Sequence, residues 1–499
     1  MTDPDVVVVG SGPNGLVAAC ALAKRGLKVL VLEAHPSRAG GAVGSEEATL
    51  PGFVHDVGAA FFPFARSSPA LRALDLPIEW ALAEIDSCHP ARDGSVAAIS
   101  RDVEASARRF GADGDAWRRI AGWWKLAEPD VLALLLGTIP AIRPALRLLP
   151  WRMLRLLRVL LSSGRGVSGR LFRGEAARRV IPGLGLHVDV APDDTFGAGL
   201  GFLLAMTAST GGWAVPRGGA RAIADALLAR LREGGGEARL GSRVTQILVS
   251  DGRVRAVRLE NGDEIPARAV LADTAAPSLL LDLVDRSILP SGVLRKMSAF
   301  PFGWGTFKMD WALSGPVPWT VEEARRSAVV HAGESMDDLA RFARQVRAGE
   351  IPRDPYLVIG QQSLVDPARA PPGKHTLWAY SRVPSRPDGG WDAHRERFAD
   401  AVEERIDGLA PGFRALVLAR RIVAPPDLEK MDANLVGGDL GGGSNAWHRQ
   451  LIFRPIFPYF RHRTPVRGLY LCSSYAHPGA GVHGMCGWNA ARIAARDLE

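Results

Sequence analysis

The feature that most constrains the fold is the opening stretch from Asp5 to Gly41, DVVVVGSGPNGLVAACALAKRGLKVLVLEAHPSRAGG. Val6 to Val9 form a β-branched run of the kind a parallel strand shows when both its faces are covered. Gly10, Gly12 and Gly15 follow as G-x-G-x-x-G, with Pro13 and Asn14 in the turn. Leu16 to Lys24 read as a helix that Gly26 stops, and Lys28 to Leu32 give a second strand ending at Glu33. Glycines at such a turn let the backbone approach a pyrophosphate, which rests against amides at the helix N-terminus. Glu33 is placed to accept hydrogen bonds from ribose hydroxyls and to repel a 2′-phosphate. Glycines alone mark ordinary turns. Strand, turn, helix, strand and acid in this order point to a dinucleotide site.

The run continues through Ala34, Arg38, Gly40, Gly41, Ala42 and Val43. The spacing Glu33-x4-Arg38-x-Gly40-Gly41 resembles the extension found in flavoproteins of the glutathione-reductase type. That resemblance implies FAD, with Arg38 near its phosphates and the second glycine pair approaching the cofactor again. Further on, Asp56-Val-Gly58-Ala59 resembles a segment that returns to the cofactor in such proteins. Phe61, Phe62 and Phe64 beside it read equally well as core or as substrate-facing.

At 499 residues the chain holds about three domains' worth of material. An apolar share of 47% with 23% charged residues is that of a globular protein. The start runs directly into the first strand, so neither a secretory nor a transit segment is expected, and the few scattered cysteines read most simply as reduced and cytoplasmic. Cys20, Cys88, Cys472 and Cys486 are too scattered for a disulfide framework or a zinc site, and no metal is expected.

The formal charge is +8, but the ten arginines and one glutamate between Arg143 and Arg179 contribute +9, leaving the remainder near −1. Basicity this local does not fit a nucleic-acid groove, and no nucleic-acid partner is expected. Pro150 is placed to start a helix from Trp151 to Leu161. On it Arg152, Arg155 and Arg158 recur every three residues beside a wide apolar arc. These arginines exclude a spanning helix. Two readings stay open: a helix packed on its own protein, or one lying in lipid headgroups as a peripheral membrane contact.

Leu71 to about Arg179 reads as mostly helical, with Trp117, Trp123 and Trp124 on a packed helix. Ala220 to Arg232 is a helix, Arg243 to Val249 and Val254 to Leu259 form a hairpin about Asp251-Gly252, and Ala269 to Ala272 is a buried strand ending at Asp273. From Phe300, alternation at Phe302, Trp304, Phe307 and Trp311 predicts antiparallel strands with one covered face. Gly468 to Gly487 reads as a strand, a glycine-rich turn and a last helix from about His483.

Taken together, the chain resembles the phytoene desaturase-related flavoprotein family. Its pattern is closest to the branch of pyridine nucleotide-disulfide oxidoreductase domain-containing protein 2. The resemblance rests on the N-terminal fingerprint, Pro216-Arg-Gly-Gly219, Val329-Val-His331-Ala-Gly, Gly360-Gln-Gln-Ser363, Ala410-Pro-Gly-Phe413, Gly437-Gly-Asp-Leu-Gly-Gly442 and Gly481-Val-His-Gly-Met-Cys-Gly487. No cysteine lies between Gly40 and Glu47, so the redox pair of disulfide reductases is absent. The turn Ser474-Tyr-Ala-His-Pro-Gly-Ala-Gly departs from the branch's Ser-Thr-Pro-Pro-Gly-Gly-Gly at Tyr475, Ala476, His477 and Ala480.

The implied fold is α/β: a glutathione-reductase-type Rossmann FAD-binding domain, interleaved with a substrate domain of mixed antiparallel sheet and helices. The cofactor domain is expected from 1–70, 214–290 and 440–499, and the substrate domain from 71–213 and 291–439. The implied cofactor contacts are Gly10, Gly12, Pro13, Asn14, Gly15, Glu33, Ala34, Arg38, Gly40, Gly41, Ala42, Val43, Gly58, Ala59, Val244, Asp273, Ala480, Gly481, Val482 and His483.

The implied chemistry is hydride transfer between a C–C unit of a lipophilic, polyene- or acyl-like molecule and the flavin, as a desaturase, saturase or isomerase. Amides at Gly481 to Gly484 suit negative charge on the reduced ring. No general base stands out. His477, His483, Tyr475 and Asp273 are candidates by their place in the motifs, whereas His187, Asp189 and Asp193 read as loop residues. His483 also reads as a structural cap, and Cys472 as a buried inert thiol.

Gly437 to Gly443 follows no apolar strand and reads as a loop, so no dedicated nicotinamide site is expected; oxygen or a quinone is the expected electron acceptor. Two rival functions share this architecture. An amine or amino-acid oxidase needs an aromatic cage and a carboxylate-binding arginine, which the sequence does not identify. A non-catalytic lipid-binding escort has lost the flavin, and the complete set of Glu33, Arg38, Gly40 and Gly41 stands against it.

Overall fold

The computed structural model describes residues 3–499. Val6–Val9 is fully buried and pairs in parallel with Val29–Leu32 on one side and Ala269–Ala272 on the other. Glu237–Arg239 and Leu469–Leu471 extend this to a five-stranded parallel sheet. Helix Pro13–Ala23 lies against the last helix, Met485–Leu498, at very close range: a Cβ on Gly487 would stand 1.9 Å from the Asn14 carbonyl oxygen. That helix begins two residues later than expected, because Gly484 adopts a left-handed φ of +67°.

The expected hairpin is present as Val244–Ser250 and Arg253–Leu259, and Glu264–Pro266 adds a third strand. These three form their own antiparallel sheet beside the parallel one.

The larger sheet has seven strands in the order Val417–Val423, Gly305–Leu313, His375–Val383, Leu357–Gly360, Ser327–Ala332, Ile85–Pro90 and Val96–Ile99. Its neighbours are antiparallel except Ser327–Ala332 with Ile85–Pro90. Two expectations are corrected here. The stretch from Leu71 to Arg179 starts in the short helix Pro69–Leu74 and is mainly helical again from Val103, but Ile85–Pro90 and Val96–Ile99 between them are strands. All six residues of Ile85–Pro90 are buried, including Asp86, Ser87 and His89, so no polar-apolar alternation marked it. Gly305–Leu313 is covered on both faces rather than one. Phe307, Met309 and Trp311 pack in a core with helix Arg395–Asp407, while Thr306 and Lys308 face an internal cavity.

Helix Gly114–Leu136 buries Trp117, Trp123 and Trp124. After it, Ile142–Leu148 and Trp151–Leu160 lie at the surface. The second, which starts after Pro150 as expected, turns Leu156 and Val159 inward but leaves Trp151 75% exposed, with Leu154, Leu157 and Leu161 also out. No helix among the described residues is long and apolar enough to cross a membrane.

A buried ion network ties the larger sheet's connections to the segment around Asp56. Arg369 donates to Asp56 at 2.8 Å, to Asp366 at 2.9 Å and to the Pro216 carbonyl at 3.1 Å. Asp56 also accepts from Ala220 N and Ser45 Oγ, and Asp366 from Gly218 N. Pro216-Arg-Gly-Gly219 is thus a structural hub. Gly219 has a φ of +114°, and a Cβ there would come 2.2 Å from Ser45 Oγ.

Candidate functional site

The glycine turn is closed by a residue from far down the chain. Asp273, at the end of Ala269–Ala272, accepts a hydrogen bond from Gly15 N at 2.8 Å. A Cβ on Gly12 would lie 2.4 Å from its Oδ2. Burial, reinforced by the nearby charges of Asp432 and Glu33 and opposed by the Gly15 bond, pushes Asp273 up to about 7.

Glu33 is oriented by its own surroundings. One carboxylate oxygen accepts from Ser11 N at 2.9 Å and Ser11 Oγ at 2.5 Å, and the other from His35 N at 2.7 Å. The Ser11 carbonyl in turn accepts Gly40 N at 3.0 Å. Ser11 therefore couples the acid to the second glycine pair, a role whose only cue in the sequence is a hydroxyl inside the fingerprint. Ala34 follows Glu33 half-buried, and Val43 closes a turn by donating its amide to Gly40 O at 2.9 Å.

Arg38 Nε contacts His35 Nε2 at 3.3 Å, but its Nη1 is buried with no partner. Asn14 Oδ1 is likewise buried and unpaired. Ala42, Gly58 and Ala59 present backbone rather than side chains: Ala59 N donates to Ala42 O at 2.9 Å, and a Cβ on Gly58 would stand 2.6 Å from that same oxygen. Buried polar atoms are seldom left unpaired. An orphaned arginine donor beside a side-chain-free cradle and an oriented acid fit FAD.

From Gly12, Pro13, Asn14, Ala42, Gly58 and Ala59 a cavity of about 300 Å³ runs toward the larger sheet. Ala480, Gly481, Val482, Tyr475 and Asp273 line it near the cradle. Its far wall is mainly apolar: Phe61, Leu200, Leu204, Val329, Val358 and Trp378. The three phenylalanines divide. Phe61 and Phe64 face the cavity, and Phe62 packs in the core against Trp80. Gly10, Gly15 and Glu33 shape the turn without lining this cavity, and Val244 sits in the core of the hairpin sheet. The backbone before Val244 nonetheless reaches the acid, since Ser242 N donates to the Glu33 carbonyl at 2.7 Å.

The catalytic candidates from sequence fare unevenly. Tyr475 lines the cavity, but its hydroxyl donates to the Asn434 carbonyl at 2.7 Å and burial raises its pKa, so it is no base. His477 lies in a different pocket, with Pro140, Phe460 and His462. Burial takes its pKa down to about 3. Proximity in sequence to the glycine-rich turn does not bring it to the cavity, because the chain leaves the wall after Tyr475 and returns only at Ala480. His483 does not line the cavity either. Its Nδ1 accepts Met485 N at 3.1 Å, capping the last helix, and its ring stands edge-on to Phe64. Cys472 is buried, with its pKa well above the usual thiol range.

The cavity's polar groups come instead from residues the sequence left unassigned. His187, read as a loop residue, accepts or donates at both ring nitrogens within a buried chain. Tyr380 Oη meets His187 Nδ1 at 3.0 Å, His187 Nε2 meets His331 Nε2 at 2.8 Å, and His331 Nδ1 meets Ser87 Oγ at 3.2 Å. Ser87 Oγ then reaches His89 Nε2 at 3.0 Å. Burial holds His187 and His89 well below the usual imidazole range and takes His331 to about 3, so the rings are neutral, while Tyr380 is pushed up to about 12. Tyr380 and His187 line the cavity.

Beside them Lys308 Nζ bonds both oxygens of Asp310, at 2.6 and 2.5 Å. Arg382 Nη1 donates to Thr306 Oγ1 at 2.5 Å. The Gly437 to Gly443 segment is a loop, as expected, but it also lines the cavity. Asp439 shapes it by accepting amides of Gly303, Gly441 and Gly443. Asn434 accepts Ala275 N at 2.8 Å and donates to Asp273 O at 3.1 Å, bringing residues from the far end of the larger sheet onto the cradle.

Comparison with known proteins agrees with this arrangement. Residues 8–74 match the NAD(P)-binding Rossmann-like domain. The chain is 28% identical to mouse pyridine nucleotide-disulfide oxidoreductase domain-containing protein 2, over 99% of this chain and 94% of that protein. It is 30% identical to the neurosporene-forming phytoene desaturase of Rhodobacter capsulatus, over 54% of this chain and 51% of that one. Among solved structures, an oxidoreductase from Methanosarcina mazei superposes with a TM-score of 0.66 at 17% identity, covering 98% of this chain and 99% of its own.

Proposed function

From a chain whose homologues include phytoene desaturases and the pyridine nucleotide-disulfide oxidoreductase domain-containing protein 2, we propose an FAD-dependent oxidoreductase. In this proposal it moves hydride between a C–C unit of a lipophilic, acyl- or polyene-like substrate and the flavin. One observation carries the reading: a single cavity joins the dinucleotide cradle to a chamber walled by Phe61, Leu200, Leu204, Val329, Val358 and Trp378. Such a chamber takes an apolar body and excludes water from the reacting carbon.

Gly12 to Gly15 and Arg38 would hold the pyrophosphate, Glu33 the ribose, and Ala480 to Val482 would border the ring. Bound there, FAD supplies a two-electron acceptor that takes hydride from carbon. Forming a double bond also releases a proton. Tyr380 Oη is the protic group on the cavity wall that leads into the interior, and His187 Nδ1 behind it is free of positive charge. Burial disfavours a standing imidazolium there, so the Tyr380–His187–His331 chain relays a proton rather than storing it.

The amine-oxidase reading is less well supported. Trp378 and Tyr380 lie ring on ring, 5.4 Å apart with planes 10° from parallel, and leave no slot between them for an ammonium. Arg382 beside them would repel the ammonium of a plain amine, although its fork suits the carboxylate of an amino acid. The exposed apolar and basic face of Ile142–Leu148 and Trp151–Leu160 supports a peripheral membrane contact from which a lipophilic substrate is taken up.

The test begins with colour: purified protein should be yellow and release FAD on denaturation. Anaerobic bleaching by long apolar substrates should exceed bleaching by amines. Protein that is colourless and cannot be reconstituted would sink the proposal, and preferential reduction by amines would replace the substrate class. Reoxidation by oxygen or by a quinone then identifies the acceptor.

A further inference from the structure

Arg382 stands apart from the other buried arginines. It is 3% exposed, and strand alternation puts it on the cavity face with Trp378 and Tyr380. Its guanidinium lies over the Tyr380 ring, 5.4 Å from the centroid, which fixes its plane. Among the described residues it makes a single side-chain hydrogen bond, to the neutral hydroxyl of Thr306, and no ion pair. Its Nε is buried without a partner, which is also true of Arg179 and Arg405, so the difference lies in the rest of the fork. By contrast Arg369 holds Asp56 and Asp366, Arg405 holds Glu334 and Asp338, and Arg179 and Arg454 are surrounded by carbonyl oxygens.

The nearby charges do not occupy it. Asp439 and Asp189 exert their fields on Arg382, but Asp439 is bound to three backbone amides and Asp189 to Ser444 and Asn445. Lys308, the other cation on this wall, is taken by Asp310. Arginine stays charged even when buried, and its planar fork matches a carboxylate in two parallel bonds. A buried charge without its partner is costly. An apolar chamber with one such unoccupied donor is a site for an amphiphile.

We propose that the substrate carries an ionised carboxylate on its apolar body, and that Arg382 with Thr306 binds it. This rests on the cavity being the substrate chamber of the reaction proposed above. The ligand class is then a long-chain or polyene acid rather than a plain hydrocarbon.

The probes are dodecanoate and 1-dodecanol, titrated into the FAD-loaded protein and followed by the fluorescence of cavity tryptophans and by the flavin spectrum. Dodecanoate should bind at least about tenfold tighter than the alcohol. Arg382→Met should abolish that preference while FAD content is unchanged, and Arg382→Lys, which keeps the charge but not the fork, should retain part of it. Equal binding of acid and alcohol, or an undiminished preference in Arg382→Met, overturns the proposal. So does loss of FAD from a folded Arg382→Met or Arg382→Lys, because the arginine would then serve the cofactor. Wild-type protein that holds no FAD yet still prefers dodecanoate would remove the oxidoreductase reading, and with it the ligand's place as a substrate, while leaving Arg382 as the carboxylate site.

Discussion

The Asp273 carboxylate accepts the Gly15 amide at 2.8 Å although 258 residues separate them. An acid therefore sits against the same glycine turn that is built to receive an anion, and burial raises its pKa from 3.8 to about 7. A carboxyl raised in this way is protonated more readily in the folded state than in the unfolded one. Its contribution is fully present below the unfolded pKa and is lost as pH rises through the folded value. Cofactor-free protein should therefore lose stability between about pH 4 and about pH 7 through this group. Asp273→Asn keeps an acceptor for Gly15 and should flatten that slope in thermal melts. An identical slope in the variant would mean that Asp273 is ionised throughout.

Gly12 and Asp273 should also be coupled sterically. Gly12→Ala places a methyl 2.4 Å from Asp273 Oδ2 and should cost about 2 kcal/mol along with most of the FAD content. Adding Asp273→Ala should restore part of both. A double-mutant cycle in urea, with FAD counted by absorbance, measures the coupling; strict additivity would place the clash elsewhere.

Arg369 is 1% exposed and bridges Asp56 and Asp366. Arg369→Met leaves both carboxylates buried without a counter-charge and should destabilise the protein by roughly 3–5 kcal/mol. Denaturant melts read this directly. A loss below about 1 kcal/mol would mean that the backbone amides of Gly218 and Ala220 suffice for the two acids.

Tyr380→Phe removes the hydroxyl that joins the cavity to His187 while preserving the ring beneath Arg382. FAD content should be unchanged, and flavin reduction by a competent substrate should slow by about 10²-fold. Stopped-flow reduction with a solvent isotope comparison tests it. An unchanged rate would take Tyr380 out of the proton path.

The surface formed by Ile142, Leu146, Leu149, Trp151 and Leu154 should bind anionic vesicles, less so as salt rises. Replacing Trp151 and Leu154 by serine should weaken sedimentation with such vesicles without lowering the melting temperature, because both are exposed. Equal recovery with neutral vesicles, or none with either kind, would rule the contact out.

How much of this could be read from sequence follows from what was local. The cradle was legible because Val6 to Gly41 writes a whole βαβ unit and its glycine turns in consecutive residues. The hairpin about Asp251-Gly252 was legible for the same reason. The strand Ile85–Pro90 was not, because Asp86, Ser87 and His89 are buried by partners from other parts of the chain, and nothing near them in sequence announces it. The placing of the histidines has the same origin. His477 and His483 adjoin the motif but not the cavity, whereas His187 reaches Tyr380 across 193 residues. Arg382 carried no mark at all: an arginine in a strand reads as solvent-facing until the fold encloses it.

The packing of Gly487 against Asn14 sets an order of events in the cell. The turn at Gly12 to Gly15 is made before both of the pieces that complete it, Asp273 and the helix that carries Gly487. A nascent chain thus carries this strand and helix without those partners until both have emerged, and cofactor capture waits for them. Flavin supply at that moment, rather than during elongation, should decide how much of the protein matures.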